Sequence, residues 1–179
     1  MKRIKNWFRF REKSQTVQTA PYKEHPYQEW MQYTPLSTPD AGLYSAMREA
    51  VPIIDAALDK IVRLTGGFKV VVSDPRWQSA MDDFVFHVKV GPSGRGLRQF
   101  TTGYLNSLLT FGNAVGEIVP EWDNSGIHAL YNARLEDVHI KTGTSPLDVS
   151  LHTSKNGMEF TPVPRPELVI FTPLNPPNG

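Results

Sequence analysis

The sequence predicts an α+β fold, in which N-terminal helices precede a mainly antiparallel sheet of hairpins. Between residues 39 and 64, apolar residues recur at steps of three and four, as on amphipathic helices. A second helical pattern ends at Gly112, and alternating strand patterns with tight-turn sequences follow it. The chain has 179 residues, of which 40% are hydrophobic and 21% charged, so it is long enough to bury a core.

Composition divides the chain into three parts. Residues 1–37 are predicted to form an extended arm, because they combine basic residues with three prolines, and proline removes a backbone donor. Residues 38–174 are predicted to fold as one α+β domain. Residues 175–179 are predicted to be a truncated loop, since an apolar strand pattern runs into them and nothing after it caps the domain.

The first helical region has start, interruption and stop signals. Thr38 suits an N-cap and Pro39 the first helical position. Pro52 must kink or split the helix, because its ring clashes with the carbonyl four residues earlier. Gly66-Gly67 is a typical C-terminal stop. The apolar stripe consists of Leu43, Met47, Ala50, Ile54, Ala57, Ile61 and Leu64.

The remaining elements follow from local patterns. Phe68–Val72 is predicted to be a strand, and residues 76–90 fit a helix with a β-rich end. Residues 95–111 are predicted to form a helix that buries Leu97, Phe100, Tyr104, Leu105, Leu108 and Phe111. Strands are predicted at 114–122, 127–131, 138–141, 149–152, 158–163 and 168–171, with tight turns at Asp123–Gly126 and Asn156-Gly157.

The formal net charge of +1 conceals a basic N-terminus. Residues 1–13 hold six basic residues and one acidic residue, a net charge of +5, and the remainder holds 13 basic and 17 acidic residues, a net charge of −4. The absence of cysteine excludes disulfides and thiolate metal sites. No apolar run approaches the roughly 20 residues that a membrane-spanning helix needs.

The basic arm is the candidate partner-contact site. Its cations and aromatic side chains suit nucleic acid, an anionic membrane surface or a protein partner, and a solubilising tail is the alternative. The candidate residues are Lys2, Arg3, Lys5, Trp7, Phe8, Arg9, Phe10 and Arg11.

No catalytic motif appears, so the chain is predicted not to be an enzyme and to need no cofactor or metal. His128, His139 and His152 fall on separate predicted strands, which leaves a three-histidine metal site geometrically open. Strand-edge histidines are the simpler interpretation.

Two further sequence patterns are candidate binding or catalytic sites. The glycine-rich segment 91–96 precedes a helix and contains Arg95, so it can be a phosphate site or a flexible connection. Glu117 and Glu121 alternate on one predicted strand face, where they are either paired carboxylates or a solvated hairpin surface.

Two blocks carry a family resemblance. The first runs through Val51-Pro52-Ile53-Ile54 to Gly66-Gly67 and then into the apolar run 68–72. The second joins Gly112-Asn113-Ala114-Val115-Gly116-Glu117-Ile118 through a hairpin to residues 132–138. In order and spacing, residues 40–179 resemble the N-terminal wing portion of tailed-bacteriophage portal proteins, the head-to-tail connectors.

This resemblance implies a structural virion protein. Such proteins form a ring, typically a dodecamer, at one capsid vertex, through which double-stranded DNA is packaged and ejected. The implied partners are further copies of the chain, the major capsid and scaffold proteins, the terminase large subunit and the tail adaptor. The implied location is the virion, and the host cytoplasm during assembly, with no membrane partner. Portals are about twice as long or more, so the stem and clip regions would lie outside this chain.

Two other functions remain open at this point. One is a small interaction module that docks on protein or membrane through the basic aromatic arm. The other is a metal-assisted hydrolase that uses the strand histidines.

Overall fold

A computed structural model describes residues 33–142 and 149–174. The candidate arm residues between Lys2 and Arg11 and the terminal loop at 175–179 lie outside the described residues. Within these ranges, the helices are α1 (Ala41–Ala50), α2 (Pro52–Thr65), α3 (Gln78–His87) and α4 (Leu97–Phe111). The strands are β1 (Tyr33–Pro35), β2 (Lys89–Val90), β3 (Gly94–Arg95), β4 (Asn113–Pro120), β5 (Ile127–Asn132), β6 (Val138–Thr142), β7 (Val149–Thr153), β8 (Thr161–Pro162) and β9 (Val169–Pro173).

The strands form two sheets in the described part of the chain, and the predicted α+β fold is confirmed. One sheet has the order β3-β2-β5-β4-β9, and the other has the order β1-β6-β7-β8. All strand pairs are antiparallel except β2 with β5. The prediction of a mainly antiparallel arrangement therefore holds, but the single sheet expected from the hairpins is divided in two.

The helix pair is split at its proline, as the sequence predicts. Val51 lies between α1 and α2 with φ −122° and ψ 88°, and Pro52 takes the first position of α2, where its missing N–H costs no hydrogen bond. The predicted start is wrong. Asp40, not Thr38, is the N-cap of α1, and its side chain makes no capping bond. None of the described helices has the length and apolar character to cross a bilayer.

The predicted strand at Phe68–Val72 is wrong, because this segment pairs with no strand among the described residues. The Gln78 side chain instead takes the place of a neighbouring strand. Its amide oxygen accepts from the Val72 N–H at 3.1 Å, and its amide nitrogen donates to the Val70 carbonyl at 3.1 Å. A side-chain amide carries the same donor and acceptor as a peptide group. The Gln78 side chain therefore makes the backbone hydrogen bonds that a neighbouring strand would otherwise make.

The helix-glycine-strand order is confirmed. Gly112 ends α4 in the left-handed conformation with φ 76°, and its N–H donates to the Leu108 carbonyl at 2.9 Å. Glycine adopts this conformation without the steric cost that other residues meet. The chain can therefore reverse directly into β4, which pairs with β5 on one side and β9 on the other.

Two small cores lie on opposite faces of β4. One contains Val88, Val90, Phe100 and Leu130, and it packs α4 onto the larger sheet. The other contains Leu36, Val115, Leu135 and Val138, and it joins the two sheets. Of the α4 residues expected to be buried, Phe100 is buried and the other five are half-buried.

The start of the described chain belongs to the smaller sheet. Tyr33–Pro35 pair with β6, and Leu36 is buried between the sheets. The sequence-based boundary after residue 37 therefore falls within a region that is paired and packed.

Candidate interaction surface

The helix pair presents apolar side chains to solvent. Ile53 is 77% exposed and Leu64 is 74% exposed, whereas Val62, at 1%, is the buried residue of α2. The apolar stripe predicted from the sequence thus exists, but most of it does not face the core. Exposed apolar side chains on a folded chain are candidates for contacts with a partner. We name this the helix-pair surface and define it by Leu43, Met47, Ile53, Ile61 and Leu64.

Arg48 fixes the helix pair against α4. Its Nε donates to Asp55 Oδ1 at 2.9 Å, so it spans the break between α1 and α2. Its terminal nitrogen NH1 donates to Thr110 Oγ1 at 2.7 Å and to Asn106 Oδ1 at 3.4 Å, both on α4. One guanidinium therefore joins three helices, and it sets the orientation of the helix-pair surface. Arg48 was not predicted as a contact residue, because Asn106 and Thr110 lie far from it in the sequence.

The change Arg48→Ala is expected to lower the free energy of unfolding by about 1–2 kcal/mol, because hydrogen bonds to a half-buried charged group are lost. Equilibrium urea denaturation measures this. Arg63→Ala is the matched control, since Arg63 is 76% exposed and its ion pair is with Asp59, one turn away on the same helix. The control should stay within about 0.5 kcal/mol of the unaltered chain. Equal losses in both variants would contradict the bridging role of Arg48.

A second exposed feature is the tip of the β4–β5 hairpin, where Trp122 is fully exposed. Two hydrogen bonds close the turn behind it. Asp123 Oδ1 accepts from the Ser125 hydroxyl at 2.6 Å and the Ser125 N–H at 3.0 Å, and these bonds lower the pKa of Asp123. Asn124 takes a positive φ of 55°. The turn predicted at Asp123–Gly126 is confirmed, but its exposed tryptophan was not selected from the sequence.

The structure does not bring the three strand histidines together. His139 and His152 are direct partners on β6 and β7, buried in contact with the aromatic rings of Tyr33 and Phe160. His128 lies on β5 of the other sheet, half-exposed, with its Nδ1 3.1 Å from Glu121 Oε1. No cluster of three or more metal-binding side chains occurs in residues 33–142 and 149–174. The hydrolase hypothesis therefore lacks its metal site among these residues.

Glu117 and Glu121 lie in different surroundings. Glu117 is exposed on β4, and Glu121 lies just beyond the end of the strand, where it contacts His128. The exposure of Glu117 and the contact of Glu121 with His128 fit the solvated hairpin.

No protein-family model matches the chain, and no curated protein matches it significantly. A chain in the neck of an empty GTA particle computed with C6 symmetry has a TM-score of 0.60, with 15% identity over 82% of this chain and 40% of that one.

Two further solved structures are similar. In the virion of the native gene transfer agent (GTA) particle, a chain has a TM-score of 0.59 at 15% identity, over 82% of this chain and 39% of that one. In the neck of the native particle computed with C12 symmetry, the values are 0.57, 16%, 81% and 39%. This chain shares their fold. It spans about 40% of the length of these structural neighbours.

Proposed function

We propose that this chain is the N-terminal wing portion of a phage portal protein. In this role it contributes to the ring at the capsid vertex through which double-stranded DNA is packaged and ejected. The observation that carries the proposal is the shared fold over 82% of the chain with a component of a particle neck. The sequence resemblance was drawn from a helix pair, a glycine-ended helix and hairpins. The structure contains these elements in the same order.

A ring requires contacts between copies, and the helix-pair surface supplies apolar area for them. A head-to-tail contact joins two different surfaces, and it closes into a ring when the rotation between neighbours closes. The likeness to chains in necks computed with C6 and C12 symmetry supports a symmetric ring, and twelve copies is the number proposed. The partners proposed beyond the ring are the major capsid and scaffold proteins, the terminase large subunit and the tail adaptor, with the basic arm as a contact for one of them.

Mass photometry of the natural gene product that contains this sequence tests the proposal. We expect closed assemblies of about twelve copies, and we expect Leu64→Glu to shift them toward monomers, because a charge cannot be buried without a partner. Met158→Glu is the matched control. Met158 is 67% exposed and lies in the β7–β8 connection, away from the helix pair, so its variant should assemble normally.

Circular dichroism of both variants should match that of the unaltered protein, which separates lost assembly from lost folding. A product that stays monomeric at all concentrations would overturn the portal proposal. If rings form equally well with Leu64→Glu, the helix-pair surface is not part of the contact between copies. The portal proposal then depends on the ring alone.

A further inference from the structure

Two cations face each other on the β2–β3 hairpin. Lys89 and Arg95 are direct cross-strand partners, and both are exposed, while their neighbours Val90 and Gly94 are buried. The two charged side chains therefore lie on one face of the ribbon. Like charges at directly opposite positions destabilise an antiparallel pair. This arrangement costs stability unless an anion lies between the two side chains.

The nearby carboxylates have other partners. Asp83 contacts His87 Nδ1 at 2.9 Å, and Glu121 contacts His128 Nδ1 at 3.1 Å. Neither Lys89 nor Arg95 takes part in an ion pair within the described ranges. Among residues 33–142 and 149–174, the two cations are thus uncompensated by an ion-pair partner.

Both cations line a pocket of about 530 Å³ between the hairpin, α3 and the start of β5. The hydroxyl-bearing Ser93 also lines it, as do His87 and His128. Asp83 is the single carboxylate on the wall, and its contact with His87 holds it on the α3 side. The open pocket has room for an anion with its hydration shell, beside two cations and two imidazoles.

Contacts with Gln99 and two glycine positions hold the β2–β3 hairpin in place. The Arg95 N–H donates to the Gln99 side-chain oxygen at 3.0 Å, and Gly96 takes a φ of 87°, which favours glycine. A Cβ on Gly94 would lie 2.5 Å from the Gln99 amide, so glycine allows this close approach. These contacts hold the Arg95 backbone, which reduces the backbone entropy that the hairpin would lose on binding.

We propose that this pocket binds a phosphate group, with the Arg95 guanidinium donating to two of its oxygens and Lys89 supplying a second positive charge. A planar guanidinium matches two phosphate oxygens, and an ammonium acts as a point charge. The glycine-rich segment thus binds phosphate through its side chains, because the Arg95 N–H already donates to the Gln99 side chain. The phosphate comes from the backbone of DNA or from a free phosphate ion. The inference is independent of ring formation.

The test uses the chain with Lys89→Gln and Arg95→Gln combined, and Lys155→Gln as the exposed control that also removes a cation. Inorganic phosphate is titrated by heteronuclear NMR at constant ionic strength, and a fluorescein-labelled DNA duplex is titrated by anisotropy. We expect phosphate to shift resonances of the 89–96 hairpin in the unaltered chain and the control. The double variant should bind at least about tenfold more weakly.

The melting temperature gives a second readout. Without phosphate, the double variant should melt higher than the unaltered chain, because the facing charges are gone. Phosphate should raise the melting temperature of the unaltered chain but not that of the double variant. Phosphate binding without duplex binding identifies a free phosphate ion, and duplex binding that phosphate competes away identifies the DNA backbone. No binding, or equal binding by the double variant, overturns the proposal.

Discussion

Replacing Phe100 with alanine is expected to lower the free energy of unfolding by about 3–5 kcal/mol, the largest effect of any single truncation proposed for this chain. Phe100 is 7% exposed and lies in the core with Val88, Val90 and Leu130. Its loss removes the apolar contacts that Phe100 makes between α4 and the larger sheet and leaves a cavity. Urea denaturation should show a lower midpoint at an unchanged slope.

Phe86→Ala provides the comparison, because it removes the same side chain from a site that is 69% exposed. The expected change is below about 0.5 kcal/mol. A loss for Phe86→Ala as large as that for Phe100→Ala would mean that the core is not organised around α4 as described.

The second large effect is expected for Gly116→Ala, which should cost about 1–3 kcal/mol through overpacking. Gly116 lies on β4, directly against the Phe100 ring. A Cβ at Gly116 would lie 2.6 Å from Phe100 Cζ and 3.1 Å from Cε2, so the buried ring would have to move. Gly126→Ala is the matched control, since a Cβ at Gly126 meets no atom within 4 Å.

The two changes should also be coupled. In a chain that already carries Phe100→Ala, the added methyl at position 116 enters the space that the ring has left. The cost of Gly116→Ala should then fall well below its cost in the unaltered chain, which a double-mutant cycle measures directly. Additive costs would show that the Gly116 methyl does not act through Phe100.

Much of the fold was predictable because its signals are local. Pro52 cannot continue a helix, and Gly112 can adopt the left-handed conformation that reverses the chain into β4. The turn at Asp123–Gly126 likewise depends on its own residues, since Asp123 accepts from the Ser125 N–H. The tight hairpin predicted at Asn156-Gly157 is wrong, because residues 154–160 form a longer connection between β7 and β8. Where a residue's effect depends on its immediate neighbours, sequence reasoning located the element to within a few residues.

The failures concern long-range partners. Phe68–Val72 has the composition of a strand, but the Gln78 amide takes the place of the pairing strand. The stripe on α1 and α2 has the periodicity of a buried face, and periodicity does not distinguish a face covered by its own domain from one left exposed. The facing charges at Lys89 and Arg95 became visible only once the β2–β3 register was known.

The outer strands of the two sheets have a consequence for how copies associate. Among the described strands, β1, β8 and β9 are edge strands that contain Pro35, Pro162 and Pro173, and the fourth edge, β3, is two residues long. Proline cannot donate to an added strand, and short edges offer few bonds, so sheet-to-sheet polymerisation into fibres is disfavoured. Association between copies is thereby directed to side-chain surfaces and away from amyloid-like growth.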